Sequence, residues 1–215
     1  MNHLETDHTN LAHHFSDVEQ QHDAAKFGMW IFILSELLLF GGLFVAYTVF
    51  RVLNPEMFYN AHKTLNITLG TINTVILITS SLTIALAIHF MQLGQKSKTL
   101  ILLYCTLVLA AAFLVIKFFE YSHKFELGQL PGKYYTYTGI KGNNPHIFFS
   151  IYFVMTGLHA LHIIGGMIVI SLMIYKTSKN LFSSDYYTPL ELTGLYWHLV
   201  DIIWIFLFPL LYLIG

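Results

Sequence analysis

The sequence holds a single cysteine, Cys105, so no disulfide can form within the chain. Charge is scarce: 11% of the 215 residues are Asp, Glu, Lys or Arg, and the net charge is −1. No basic block stands out, which removes the electrostatic footprint of a nucleic-acid-binding protein. Of the five prolines only Pro209 falls inside a long apolar stretch, so the stretches read as unbroken helices. The N-terminal segment lacks the basic region and small-residue cleavage site of a signal peptide, and the first apolar helix is therefore expected to be retained.

What the chain does have is hydrophobic length. Apolar residues make up 55% of the sequence and gather into runs as long as a bilayer is thick. Five spans are predicted, at about residues 27–50, 67–91, 100–119, 147–175 and 192–214. Backbone polar groups in hydrocarbon must be paired internally, and the runs lack the polar alternation of barrel strands, so the spans are helices. The predicted fold is an all-α polytopic membrane protein, a bundle of five transmembrane helices over residues 27–215. It is preceded by a soluble polar tail, residues 1–26. His3, His8, His13, His14 and His22 in that tail read as solvated side chains.

Orientation follows from Lys and Arg. Lys26, Lys96, Lys98, Lys176 and Lys179 lie on the N-terminal side, and Arg51, Lys63, Lys117, Lys124, Lys133 and Lys141 on the other. Short connections weigh most, and four of the first set sit in or beside the two shorter ones, which predicts a cytoplasmic N-terminus and an external C-terminus. The long connection "FELGQLPGKYYTYTGIKGNNPH" would then lie outside, where its tyrosines could cover a neighbouring protein.

Against this background the polar residues inside spans stand out. In "WIFILSELLLFGG" one acid, Glu36, lies about 14 Å into the first span. Counting the rise per residue puts Asp201 about 14 Å, His198 about 9 Å and His159 about 12 Å from the same side, with His162 a turn nearer to it. Such groups should face one another inside the bundle or lose their charge. Glu36 reads either as a structural hydrogen-bonding group or as a functional acid. His159 and His162, three residues apart, suit metal or haem ligation, or else serve as neutral links between helices. His198 and Asp201 share that spacing and could bond along their own helix or relay a proton. Trp197 and Trp204 read as packing residues. Asn73, Ser80 and the threonines of the second span read as interhelical hydrogen bonds, and Gly157, Ala160, Gly165 and Gly166 as a face for close helix approach.

The segments "GMWIFILSELLLFGGLFVAY", "TINTVILITSSLTIALAIHF", "FFEYSHKFE", "MTGLHALHIIGGMIVI" and "YWHLVDIIWIFLFPLLYLIG" together resemble subunit III of the haem-copper respiratory oxidases. The resemblance runs from about Lys26 to the C-terminus and preserves segment order. The Ser-Glu dipeptide of the first span and the closing Tyr-Trp-His, Val-Asp, Trp sequence are its most specific motifs. It implies a non-redox subunit that holds no haem, copper or other cofactor, the haems and copper residing in partner subunits. The implied partners are the catalytic subunit I, subunit II and phospholipids, and the implied location is the bacterial cytoplasmic membrane. Glu36 matches the family's membrane-buried, carbodiimide-reactive glutamate, while Glu120, His159, His162, Trp197, His198 and Asp201 match its recurring polar positions. Longer members carry two further helices before the Ser-Glu helix, so the chain resembles the five-span bacterial form. An accessory subunit of a related nitric oxide reductase and a free-standing proton or ion transporter are the alternatives; the latter usually shows repeats or broken helices. The depths further predict that Glu36 pairs with His159 across the first and fourth spans.

Overall fold

A computed structural model describes residues 15–140, 142, 144–184 and 186–214, and the tail histidines His3, His8, His13 and His14 lie outside them. Six α-helices follow one another: α1 (Val18–Leu53), α2 (Pro55–His62), α3 (Ile67–Gln92), α4 (Lys96–Glu126), α5 (His146–Ser178) and α6 (Thr188–Phe208), with a π-helical turn at Pro209–Leu213. The five long helices, α1 and α3 to α6 with its π turn, are each long and apolar enough to cross a membrane, as expected. The chain divides into two compact units, residues 1–39 and 40–215.

The first unit, as described, is the N-terminal part of α1. This helix starts inside the stretch expected to be a polar tail, because a capping box nucleates it there. The Asp17 carboxylate accepts from the Gln20 N–H at 2.7 Å, and the Gln20 side chain accepts from the Ser16 N–H at 2.9 Å. The Gln20 N–H and the Ser16 hydroxyl, which donates to Asp17 Oδ2 at 3.0 Å, hold the Asp17 carboxyl below its ordinary range. Glu36 stands on this part of α1, partly exposed.

In the second unit the elements are tied by hydrogen bonds between helices. Thr83 and Thr106 hydroxyls lie 2.8 Å apart between α3 and α4, and Tyr121 meets Thr156 between α4 and α5. Tyr196 Oη donates to the His162 carbonyl at 2.8 Å, joining α6 to α5. Trp197 Nε1 donates to Ser80 at 3.0 Å and Trp204 Nε1 to Thr74 at 3.0 Å, so two indoles of α6 are pinned to α3. Ser80 and Thr74 therefore link helices as the sequence predicts. Asn73 does not: it is fully buried, yet its side-chain amide has no hydrogen-bond partner.

Helix α4 runs a further two turns beyond its predicted end. It stops at Gly128, whose φ of +71° closes a Schellman motif in which Gln129 N–H donates to the Lys124 carbonyl at 3.0 Å and Gly128 N–H to that of Phe125 at 3.2 Å. At the far end of the chain Pro209 offers no N–H to the helix, and the backbone continues as a π turn with Ile214 N–H donating to the Pro209 carbonyl at 3.0 Å. The loosened carbonyls are caught from α1: Tyr47 Oη donates to that of Leu210 at 2.7 Å and Arg51 Nη2 to that of Ile214 at 2.8 Å. Between Leu53 and Ile67, where only a connection was expected, Pro55 starts the short helix α2 from its first position. It buries Phe58 edge-on against Tyr47 and Phe148.

Of the small residues on α5, Gly166 is the one that permits close approach. A Cβ there would lie 2.7 and 2.8 Å from two ring carbons of Trp197 and 3.0 Å from one of Tyr196, whereas at Gly157 it would meet only the Tyr121 hydroxyl at 3.9 Å. Gly166→Ala is thus expected to destabilise the chain by about 1 to 3 kcal/mol through overpacking against rigid rings. Gly157→Ala should be neutral or gain up to about 1 kcal/mol from helix propensity. Unfolding of the two variants in mixed detergent micelles would give the order, and equal effects would count against a packed α5–α6 contact at Gly166.

Candidate functional site

The C-terminal half of α4 carries Lys117, Glu120 and Lys124 along one stripe, at spacings of three and four residues. All three face inward and are no more than 5% exposed. Lys117 Nζ donates to Glu120 Oε2 at 2.9 Å and to Tyr212 Oη at 2.6 Å, and Tyr212 Oη donates to Glu120 Oε1 at 2.6 Å, closing a ring of three hydrogen bonds. The ammonium also lies 4.5 Å from the centroid of the Trp204 ring. Tyr152 reaches the same cluster from α5, its hydroxyl 3.4 Å from that of Tyr212. Tyr212 arrives there because the π turn after Pro209 carries it into the core.

One turn further along α4, Lys124 Nζ lies 3.4 Å from Gln129 Oε1 and sits over the Tyr152 and Phe149 rings at 5.4 and 5.7 Å. The Schellman turn at Gly128 folds Gln129 back over the helix end and so makes this contact possible. Of the tyrosines in the long connection, Tyr135 stacks on Phe149 of α5, and burial pushes its phenol above the ordinary range. Tyr134 points outward, 62% exposed. The connection is therefore partly anchored to its own chain.

Lys117 and Lys124 were missed as site residues because they read as charges flanking a shorter span. The Lys117-x-x-Glu120 and Glu120-x-x-x-Lys124 spacings were the available signal, legible once α4 is continued to Gly128. Chemically the cluster is a clamp. It holds two ammonium groups and one carboxylate away from lipid, joining α4, α5 and the C-terminal turn through bonds that have little value unless all members are present.

The histidines have different surroundings. His159 is fully buried between Phe113 and Trp204, ring centroids 5.6 and 5.1 Å away. Neither of its ring nitrogens has a hydrogen-bond partner. His162, partly exposed, turns to its own backbone: Nδ1 lies 2.8 Å from the Leu158 carbonyl, which can only accept, so Nδ1 carries the proton. Its ring meets Phe40 edge-on at 5.4 Å. The two imidazoles, three residues apart, thus do not converge. Among the described residues no group of three or more His, Cys, Asp and Glu is placed to hold a metal ion.

His198 and Asp201 do not bond along α6 as their spacing allowed. His198 Nδ1 lies 2.6 Å from Ser81 Oγ on α3, while both Asp201 carboxylate oxygens are buried without a hydrogen-bond partner. Within residues 40–215 the layer predicted from depth is therefore not a single cluster, because His159 and Asp201 hydrogen-bond neither to each other nor to His162 or His198.

Residues 2–215 match the Cytochrome c oxidase subunit III family. Among individual relatives, a cytochrome c oxidase subunit 3 from Thermostichus vulcanus is 31% identical over 205 residues, covering 92% of each chain. A cytochrome bo(3) ubiquinol oxidase subunit 3 from Pseudomonas putida is 27% identical over 200 residues, covering 90% of this chain and 89% of the relative. A heme-copper oxidase subunit I+III from Aeropyrum pernix is 31% identical over 199 residues, 89% of this chain but 23% of that longer protein. Neither the nitric oxide reductase nor the transporter alternative gains support from these matches.

Proposed function

Because the chain belongs to the Cytochrome c oxidase subunit III family, we propose that it is the non-redox third subunit of a haem-copper terminal oxidase and supports the stability and turnover of the catalytic subunit. The observation that carries the reading is the family match over residues 2–215, which takes in all five spans, together with the Thermostichus relative's coverage of 92% of both chains. The Aeropyrum relative, a subunit I+III, supports subunit I as the immediate partner, and subunit II and phospholipids complete the proposed surroundings.

A metal-free role accords with the side chains. His159 is boxed by aromatic rings, His162 by its own backbone and Phe40, and Glu120 is consumed by the Lys117 clamp. Glu36, Glu120, His159, His162, His198 and Asp201 then act as packing, hydrogen-bonding and assembly groups, and haem and copper chemistry belongs to the partners. The proposed location is a bacterial cytoplasmic membrane with the N-terminus inside. Burial of Lys117 and Lys124 in α4 supports that orientation: it leaves Arg51, Lys63, Lys133 and Lys141 on the far side, against Lys26, Lys96, Lys98, Lys176 and Lys179 on the N-terminal side.

Affinity purification of the tagged chain from mild detergent tests the reading. The expected preparation shows haem absorption and contains larger subunits, and the chain dissociated from it carries no stoichiometric iron or copper. A colourless chain that purifies alone would speak for a transporter, and metal retained by the separated chain would end the non-redox reading.

A further inference from the structure

Apart from the clamp of α4, a polar groove lies between α3 and α6. Its deeper part, about 370 Å³, has Ser81, His198 and Asp201 among its lining residues, with Ile78, Leu82 and Ile202 in its walls. A second part, about 280 Å³, continues from the shared residues Ala85 and His198 towards His89, Gln92 and Glu191. Asp201 is 3% exposed, yet neither carboxylate oxygen has a hydrogen-bond partner. Ser81 stands beside both groups of α6, its Oγ 2.6 Å from His198 Nδ1 and close to the Asp201 carboxyl. A carboxyl oxygen without a partner at such a position is costly in hydrocarbon, and a donor brought by another chain would satisfy it.

Depth decides what that partner can be. Asp201 is thirteen residues into α6 and twelve from the end of the π turn, roughly 20 and 18 Å along the helix, which is the middle of a bilayer. Lipid headgroups remain at the surfaces, and acyl chains offer no donor. A second copy seated on the same groove across a two-fold axis would bring acid against acid. A transmembrane helix of a different chain satisfies both features at once: apolar side chains for the walls, and an N–H donor at mid-depth for the carboxyl.

We propose that the α3–α6 groove receives a transmembrane helix of a partner subunit, which presents a nitrogen donor, such as an Arg, Lys, His or Trp side chain, to Asp201. This rests on the oxidase reading above and names the face through which the chain is held. In the assembled complex Asp201 is then an anchor. In the isolated chain only Ser81 stands beside it.

The test uses the purified complex with a photo-reactive residue at Leu82 or Ile202 in turn, both more than 45% exposed along the groove in the single chain. The expected product is a covalent adduct between this chain and another polypeptide of the complex. Adducts to lipid alone, or to a second copy of this chain, overturn the proposal. Asp201→Leu supplies an independent reading. Its yield in the haem-bearing complex is expected to fall by more than about tenfold, while Asp201→Asn, which keeps an acceptor, loses less. The isolated Asp201→Leu chain should unfold no earlier than the parent. Equal loss of stability in the isolated chain would make Asp201 an internal structural group, and undiminished yield in the complex would also overturn the anchor. Failure of the oxidase reading looks different, since the parent chain itself would then purify without haem.

Discussion

Replacing Glu120 by leucine is expected to destabilise the isolated chain by about 3 to 5 kcal/mol, the largest effect of any single change in the α4 cluster. The carboxylate receives both Lys117 Nζ and Tyr212 Oη, and the ammonium it leaves behind is 4% exposed, with only the tyrosine hydroxyl and aromatic faces for company. The cost comes from an uncompensated buried charge more than from a lost bond. It follows that Lys117→Met combined with Glu120→Leu should recover much of the loss, because an apolar pair of similar volume needs no counter-charge. Titration with a denaturing detergent, read by tryptophan fluorescence, would measure both. A double variant no more stable than Glu120→Leu alone would show that the penalty lies elsewhere.

Trp204→Ala should cost about 3 to 5 kcal/mol, as expected for truncating a fully buried indole in a close-packed core. The ring meets Phe113 edge-on at 4.9 Å and His159 at 5.1 Å, and it covers the Lys117 ammonium at 4.5 Å. Trp204→Phe keeps most of that packing and loses the 3.0 Å bond to Thr74, so about 1 to 2 kcal/mol is expected. Thr74 itself stays satisfied, since its hydroxyl donates to the Gly70 carbonyl at 2.9 Å. Because Trp204 and Glu120 both contact Lys117, their effects should be coupled by about 0.5 to 3 kcal/mol in a double-mutant cycle. Independent effects, or a Trp204→Ala chain as stable as the parent, would remove the indole from the clamp.

Both variants probe contacts that the sequence did not announce, although it announced a good deal. The five spans were legible because hydrophobicity and length are local properties that a bilayer reads directly. The start of α1 was equally local, written in the Ser16, Asp17 and Gln20 side chains, and so was the end of α4 at Gly128. The family was legible from ordered motifs without any knowledge of contacts. Depth, too, could be counted along each helix. Direction around the helix could not. Rise per residue placed His159, Asp201 and Glu36 in one layer, but which way each points depends on what packs against it, and that comes from remote parts of the chain. Tyr212 lies 95 residues from Lys117 and reaches it only because Pro209 turns α6 into a π turn that carries the phenol inward. Ser81 claims His198 from another helix, 117 residues away, and leaves Asp201 facing an open groove. One-dimensional pattern therefore determined what crosses the membrane and how deep each polar group sits; helix rotation and packing, set by contacts distant in sequence, decided which of those groups meet.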